Sequence, residues 1–123
     1  MSDRDKLQVL HPEYYDLLCF TEEKTDSGST ILFTDFGFYI IAQPFFYPFR
    51  IVYTIEYENG TDDQVLLNYL KNPHVDYVNG GVTYIEYIVV SEIPFHLSTN
   101  ETLFTKISLD SNNYILGVNR SAL

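Results

Sequence analysis

Three carboxylate pairs, Glu22/Glu23, Glu56/Glu58 and Asp62/Asp63, are the residues of this chain best suited by type and spacing to chemistry. Hydrolases use paired carboxylates as general acid and general base, but one of the two must be buried and must keep its proton near neutral pH. Here the pairs fall at a helix end, on the polar face of a strand and at a helix N-cap, none of which buries a carboxyl group. Cys19 with a histidine could imitate a thiol nucleophile, yet Cys19 stands in an apolar helical run, where a thiol packs as a small hydrophobe. His11, His74 and His96 are dispersed, without the i, i+4 spacing of a helical zinc motif, and a single cysteine excludes a thiolate cluster. Gly80-Gly81 belongs to a turn, and neither a dinucleotide fingerprint nor a Walker-type loop is present. These residues point to a protein that binds rather than catalyses, with no metal and no cofactor.

Charge defines the kind of partner. The chain carries 7 basic and 17 acidic residues for a net charge of −10, with a pI near 4.4. Such a surface repels nucleic acid and anionic membranes and attracts basic partners at salt-dependent rates. The imbalance is local as well. Between Ile51 and Thr105 the acids are Glu56, Glu58, Asp62, Asp63, Asp76, Glu86, Glu92 and Glu101, and Lys71 is the single base. Tyr53, Tyr57, Tyr69, Tyr77, Tyr84 and Tyr87 lie among them; tyrosine is favoured at interfaces because it offers a large ring with one polar end. A rigid face of carboxylates can enter an arginine-lined cleft built for DNA, since the arginine fork that grips phosphate or guanine also grips carboxylate. The same charge pattern would suit an immunity protein that neutralises a basic toxin nuclease, and the aromatic residues would suit a small virion component.

The elements that position these residues follow from pattern. At 123 residues the chain is expected to form one domain. No apolar run is long enough to span a membrane, and Met1-Ser2-Asp3-Arg4-Asp5-Lys6 is not a signal segment; with Cys19 unable to form an internal disulfide, a cytoplasmic protein is expected, and the sequons at Asn59, Asn100 and Asn119 are read as chance. Pro12 with Glu13 and Asp16 starts a helix that shows Tyr14, Leu17 and Leu18 on one face, and Asp26-Ser27-Gly28-Ser29 ends it. Ile31 to Phe33 and Phe38 to Ala42 read as a hairpin around Thr34-Asp35-Phe36-Gly37.

Pro44-Phe45-Phe46-Tyr47-Pro48-Phe49 reads as a sharp connection or an edge, whose rings are core plugs or an exposed contact patch, core being favoured because aromatics bury large areas in a small domain. Ile51 to Glu58 alternates as a strand, with Glu56 and Glu58 side by side on one face. Thr61-Asp62-Asp63-Gln64 is a capping box opening a helix to Lys71 that buries Val65, Leu66 and Tyr69 or their neighbours, before Asn72-Pro73 stops it. Val75 to Val78 and Val82 to Val90 form a hairpin around Asn79-Gly80-Gly81, and Pro94 interrupts the extended run. Thr102 to Leu109 and Tyr114 to Val118 form another across Asp110-Ser111-Asn112-Asn113. The sum is an α+β fold: a mainly antiparallel sheet with an N-terminal helix and one further helix packed on one face.

Within this frame one segment is distinctive. Tyr69-Leu70, then Val75-Asp76-Tyr77, Val78-Asn79-Gly80, Val82-Thr83-Tyr84 and Ile88-Val89 resemble a stretch of the prophage-encoded type II-A anti-CRISPR proteins of family two. Thr30 to Thr34 with Tyr39 to Ala42 is similar in pattern, and length and acidity agree. The resemblance implies an inhibitor that binds the guide-RNA-loaded type II effector nuclease as a monomer. Its carboxylates would occupy the cleft where arginines read the protospacer-adjacent-motif duplex, excluding target DNA without binding DNA itself. Where the family carries a dense acidic run after its second hairpin, this chain has Ser91-Glu92-Ile93-Pro94-Phe95-His96-Leu97, with Glu92 alone. The partner-binding carboxylates are therefore assigned from this chain's own clustering: Glu56, Glu58, Asp62, Asp63, Asp76, Glu86 and Glu92, of which Asp62 and Asp63 also serve as first-turn residues.

Overall fold

All four residues of β1 (Thr30–Phe33) are buried, the condition of a strand covered on both faces rather than one half-facing water. The computed structural model describes residues 3–10, 12–55, 63–91 and 100–123, and in it β1 sits inside a five-stranded sheet of order β2-β1-β5-β7-β6. Both neighbours of β1, β2 (Ile51–Thr54) and β5 (Tyr87–Ser91), run parallel to it, with Ile31 opposite Val52 on one side and Tyr87 on the other. β7 (Asn113–Val118) then pairs antiparallel with β5, and β6 (Phe104–Ser108) antiparallel with β7. The protein is α+β as expected, on a sheet that is mixed rather than mainly antiparallel.

The parallel half arises because the expected hairpin at Thr34 to Gly37 does not form. Asp35 is instead an N-cap in extended conformation, and its carboxylate accepts a hydrogen bond from the Phe38 N–H at 3.3 Å. This starts α3 (Phe36–Phe46), which buries Phe38, Ala42 and Phe46 at i, i+4, i+8. β1-α3-β2 is thus a βαβ unit, and parallel strands require such a crossover. Pro44, expected in a connection, lies inside the last turns of α3. Its neighbouring rings divide: Phe46 is core, stacked near Phe33 with ring centres 6.3 Å apart, whereas Tyr47 and Phe49 are 57% and 65% exposed.

Helices cover both faces. α2 (Pro12–Lys24), preceded by α1 (Asp3–Leu10), packs with α3 over Ile31, Phe33, Val52, Val89 and Ile115. α4 (Asp63–Lys71) buries Leu66 and Leu70 with Leu32, Ile88, Val90 and Leu116 on the opposite face, and Val65 is exposed. The arrangement has a topological cause. The first crossover steps outward from β1 to β2 and the second steps back past β1 to β5, so crossovers of one hand must lay their helices on opposite faces. The Asn79-Gly80-Gly81 turn forms as expected but joins only β3 (His74–Val75) to β4 (Val82–Thr83), with Gly80 and Gly81 both at positive φ. After Thr83 the chain leaves this hairpin, and β5 enters the main sheet. The β6–β7 hairpin is closed by Asp110, whose carboxylate accepts from the Asn112 and Asn113 N–H groups at 2.8 and 2.9 Å.

Candidate functional site

The three parallel strands start at one edge of the sheet, and that edge gathers Asp26, Glu86 and Tyr87 with the β3–β4 hairpin that bears Asp76 and Tyr77. The chain exits the described residues at Ile55, just past the carboxyl end of β2, and at Ser91, the last residue of β5. Glu56, Glu58, Asp62 and Glu92 follow those exits and lie outside the described residues, as do the Thr61 cap, Pro94, His11 and His96. Asp63 opens α4, about 12 Å from its Lys71 end at 1.5 Å per residue. Asp76 and Glu86 both belong to the amino-terminal edge, on either side of β4. Asp76 N–H bonds to the Gly81 carbonyl at 3.0 Å, and Glu86 N–H to that of Thr30, the first residue of β1, at 2.9 Å.

The β3–β4 hairpin is clamped to this edge by hydroxyl groups. Thr83 and Thr30 share a hydrogen bond of 2.7 Å. Tyr77 Oη accepts from the Val52 N–H at 2.8 Å and lies 3.3 Å from the Val52 carbonyl, to which it donates; the Tyr53 hydroxyl donates to the Val75 carbonyl. Tyr53, Tyr69 and His74 complete an aromatic cluster, with the His74 ring 4.2 Å from that of Tyr69 and 5.2 Å from that of Tyr53. His74 Nε2 lies 2.8 Å from the Tyr69 carbonyl. Burial holds the phenols of Tyr53, Tyr69 and Tyr77 above their ordinary 10.0, so all three are neutral donors at physiological pH.

Asp76 is positioned by the turn it stabilises. Oδ1 accepts from the Asn79 N–H at 2.8 Å and the Val78 N–H at 3.0 Å, while Oδ2 takes a longer 3.4 Å contact from the Asn79 amide. The Asn79 backbone N–H above all, with that of Val78, pulls the carboxyl below the usual aspartate range, so it is anionic throughout the physiological range. Glu86 differs. It lines a cleft of about 860 Å³ together with Tyr84, Tyr87, Thr105, Asn119 and Arg120, and burial raises its carboxyl above the ordinary value, with the charge of Asp26 adding to the effect. Asp26 is tied to the same edge by a 3.3 Å hydrogen bond from the Tyr87 hydroxyl.

Sequence reasoning missed two members of this edge. Asp26 reads as a helix-stop residue in Asp26-Ser27-Gly28-Ser29, and Tyr47 reads as a core plug; a tyrosine just past a helix C-terminus and ahead of a proline is the signal that could have placed Tyr47 outside. Chemically the edge offers neutral phenols at Tyr53, Tyr69 and Tyr77 and the ionised carboxylate of Asp76. Cys19 is partly exposed on α2 and lines a separate groove with Asp16, Glu23 and Asp110. Among the described residues no group of His, Cys, Asp or Glu is placed to hold a metal ion, and no helix is long and apolar enough to cross a membrane. Compared with family models, curated proteins and solved structures, the chain matches none.

Proposed function

We propose that the protein is a stoichiometric inhibitor that seats its acidic surface in a basic, DNA-reading cleft of another protein. One observation carries this reading: three of the described cations, Arg50, Arg120 and Lys106, are turned onto the fold's own carbonyls and rings, against 17 acidic residues in the chain. Arg50, 8% exposed, donates to the carbonyls of Glu22 and Thr25 at 2.9 and 2.7 Å and to the Thr25 hydroxyl at 2.8 Å. Arg120 lies 4.3 Å over the Tyr84 ring and donates to the Ile85 carbonyl; Lys106 lies 4.1 Å over Tyr114. The net charge of −10 counts these cations; held against the fold, they present few free donors to a partner, and the net negative field steers the protein toward a basic one.

The target in this reading is the guide-RNA-loaded type II effector nuclease. The segment resembling the family-two anti-CRISPR proteins, Tyr69 to Val89, builds the β3–β4 hairpin, Asp76, Tyr77 and Glu86. Asp76 on that hairpin and Glu86 just beyond it offer arginine forks the acceptors they otherwise find on a motif-bearing duplex. Excluding the motif prevents strand separation, because that contact comes first. Asp76 and Glu86 act as the described contact acids, with Asp63, Glu56, Glu58, Asp62 and Glu92 as further contributors. Size-exclusion chromatography of the protein with guide-loaded nuclease and motif duplex tests the proposal. Co-elution of protein and nuclease with the duplex displaced is expected; co-elution of all three would refute competition.

A further inference from the structure

The amino-terminal edge carries a feature that charge alone does not explain: two partly exposed tyrosines whose rings are nearly parallel. Tyr47 and Tyr77 are 57% and 40% exposed, their ring planes differ by 11° and their centres lie 6.5 Å apart. Two partly exposed rings so oriented and so spaced offer near-parallel aromatic faces to a planar group. Both are fixed from behind. Tyr77 is held through its hydroxyl on Val52 and by the edge of Tyr53, whose ring stands at 71° with centres 6.0 Å apart. Tyr47 is the C-cap of α3, its N–H bonded to the Gln43 carbonyl at 3.1 Å. A ring held through its hydroxyl, as that of Tyr77 is, loses little freedom when it binds.

We propose that Tyr47 and Tyr77 form an arginine shelf, on which a guanidinium from a basic protein segment stacks while Asp76 accepts its N–H groups. The inference rests on the reading of the protein as a ligand for basic clefts and supplies the chemistry of one contact. Guanidinium is planar and weakly hydrated, so it stacks on aromatic faces where an ammonium does not. Asp76 adds a fixed negative charge that acts on both Tyr53 and Tyr77, and its Oδ2 takes only the long Asn79 contact among the described hydrogen bonds. A nucleobase would stack as well, but its phosphates would meet a surface of net charge −10. A second copy of the chain would bring the same like charge.

The test is an aromatic-carbon NMR titration of the intact protein with the peptides Gly-Arg-Gly and Gly-Lys-Gly, both blocked at their ends. The arginine peptide is expected to shift the Tyr47 and Tyr77 ring signals at least about threefold more than the lysine peptide at equal concentration, as stacking on a ring face favours a planar guanidinium. Tyr47→Ala, at an exposed position, should abolish the arginine-specific shift at Tyr77, and Tyr47→Phe should keep it. Equal shifts with both peptides, or an undiminished Tyr77 response in Tyr47→Ala, would overturn the shelf. So would ring shifts produced by raising protein concentration alone, which would assign the surface to self-association. The titration contains no nuclease, so a shelf that binds arginine stands even if the protein fails to displace the motif duplex.

Discussion

Tyr77 closes an exposed sheet edge at Val52: one hydroxyl meets both backbone groups that Val52 turns away from β1, the N–H at 2.8 Å and the carbonyl at 3.3 Å. In a parallel strand alternate residues point outward, and β2 directs Ile51 and Ile55 inward, to the carbonyls of Ser29 and Phe33. An open edge at Val52 would be a template for another strand, and the hairpin's tyrosine blocks it. The residue proposed to stack a partner's guanidinium is thereby also the one that anchors the hairpin.

Tyr77→Phe keeps the ring and removes the anchor. Losing a bond of this kind costs about 1 kcal/mol, which for a domain of this size lowers Tm by about 3–5 °C. Calorimetry should show that fall, together with increased self-association at high concentration. An unchanged Tm would mean that water serves the Val52 edge equally well.

Arg50 is the second structural anchor. Its fork joins the end of α2 to the start of β2 by contacting the Glu22 and Thr25 carbonyls and the Thr25 hydroxyl, a cation at the negative end of a helix. Arg50→Ala leaves those buried acceptors without a donor and should cost about 2–4 kcal/mol in urea unfolding. Arg50→Lys should recover less than half, because an ammonium cannot reproduce the planar fork. Full recovery by lysine would reduce the role of Arg50 to charge alone.

The expected α+β class, the N-terminal helix, the Gly80-Gly81 turn and the final hairpin were legible because each has a local cause: a first-turn proline, two glycines at positive φ, an aspartate closing a turn. The α3 helix was not. Phe36-Gly37-Phe38-Tyr39-Ile40-Ile41-Ala42 is apolar almost throughout, so neither a period of two nor one of 3.6 stands out, and its residues favour strands. Asp35 serves a turn and an N-cap equally well in sequence; only the Phe38 N–H at 3.3 Å decides. With α3 misread, β1 and β2 could not be seen as parallel. Nor could Asp26, Asp76 and Glu86 be placed at one edge. Spacing along a strand showed the acids as a cluster; it could not show which strand ends coincide.

Glu86 and the turn aspartates Asp76 and Asp110 titrate with opposite consequences. Burial raises the Glu86 carboxyl above its ordinary 4.5, so the folded state holds that proton more tightly than the unfolded chain. Its contribution is full below that ordinary value and is lost as pH rises through the raised one. Asp76 and Asp110, lowered from 3.8 by turn N–H groups and the Asn113 amide, contribute above that value and lose it as pH falls through the lowered one. Glu86→Gln should therefore raise Tm at neutral pH and leave it unchanged near pH 4, whereas Asp110→Asn should lower Tm at neutral pH by an amount that shrinks on acidification. Thermal melts across pH check both signs; a Glu86→Gln gain that persists at pH 4 would point to packing instead.

The central claim is competition for an arginine-lined, DNA-reading cleft, and equilibrium displacement of labelled motif duplex from guide-loaded type II nuclease measures it directly. The account predicts full displacement at one protein per nuclease, weakened about tenfold or more by Asp76→Lys combined with Glu86→Lys, since each reversal puts a cation where the cleft presents its own. Duplex that stays bound at saturating unsubstituted protein, or displacement left unchanged by those substitutions, would contradict it.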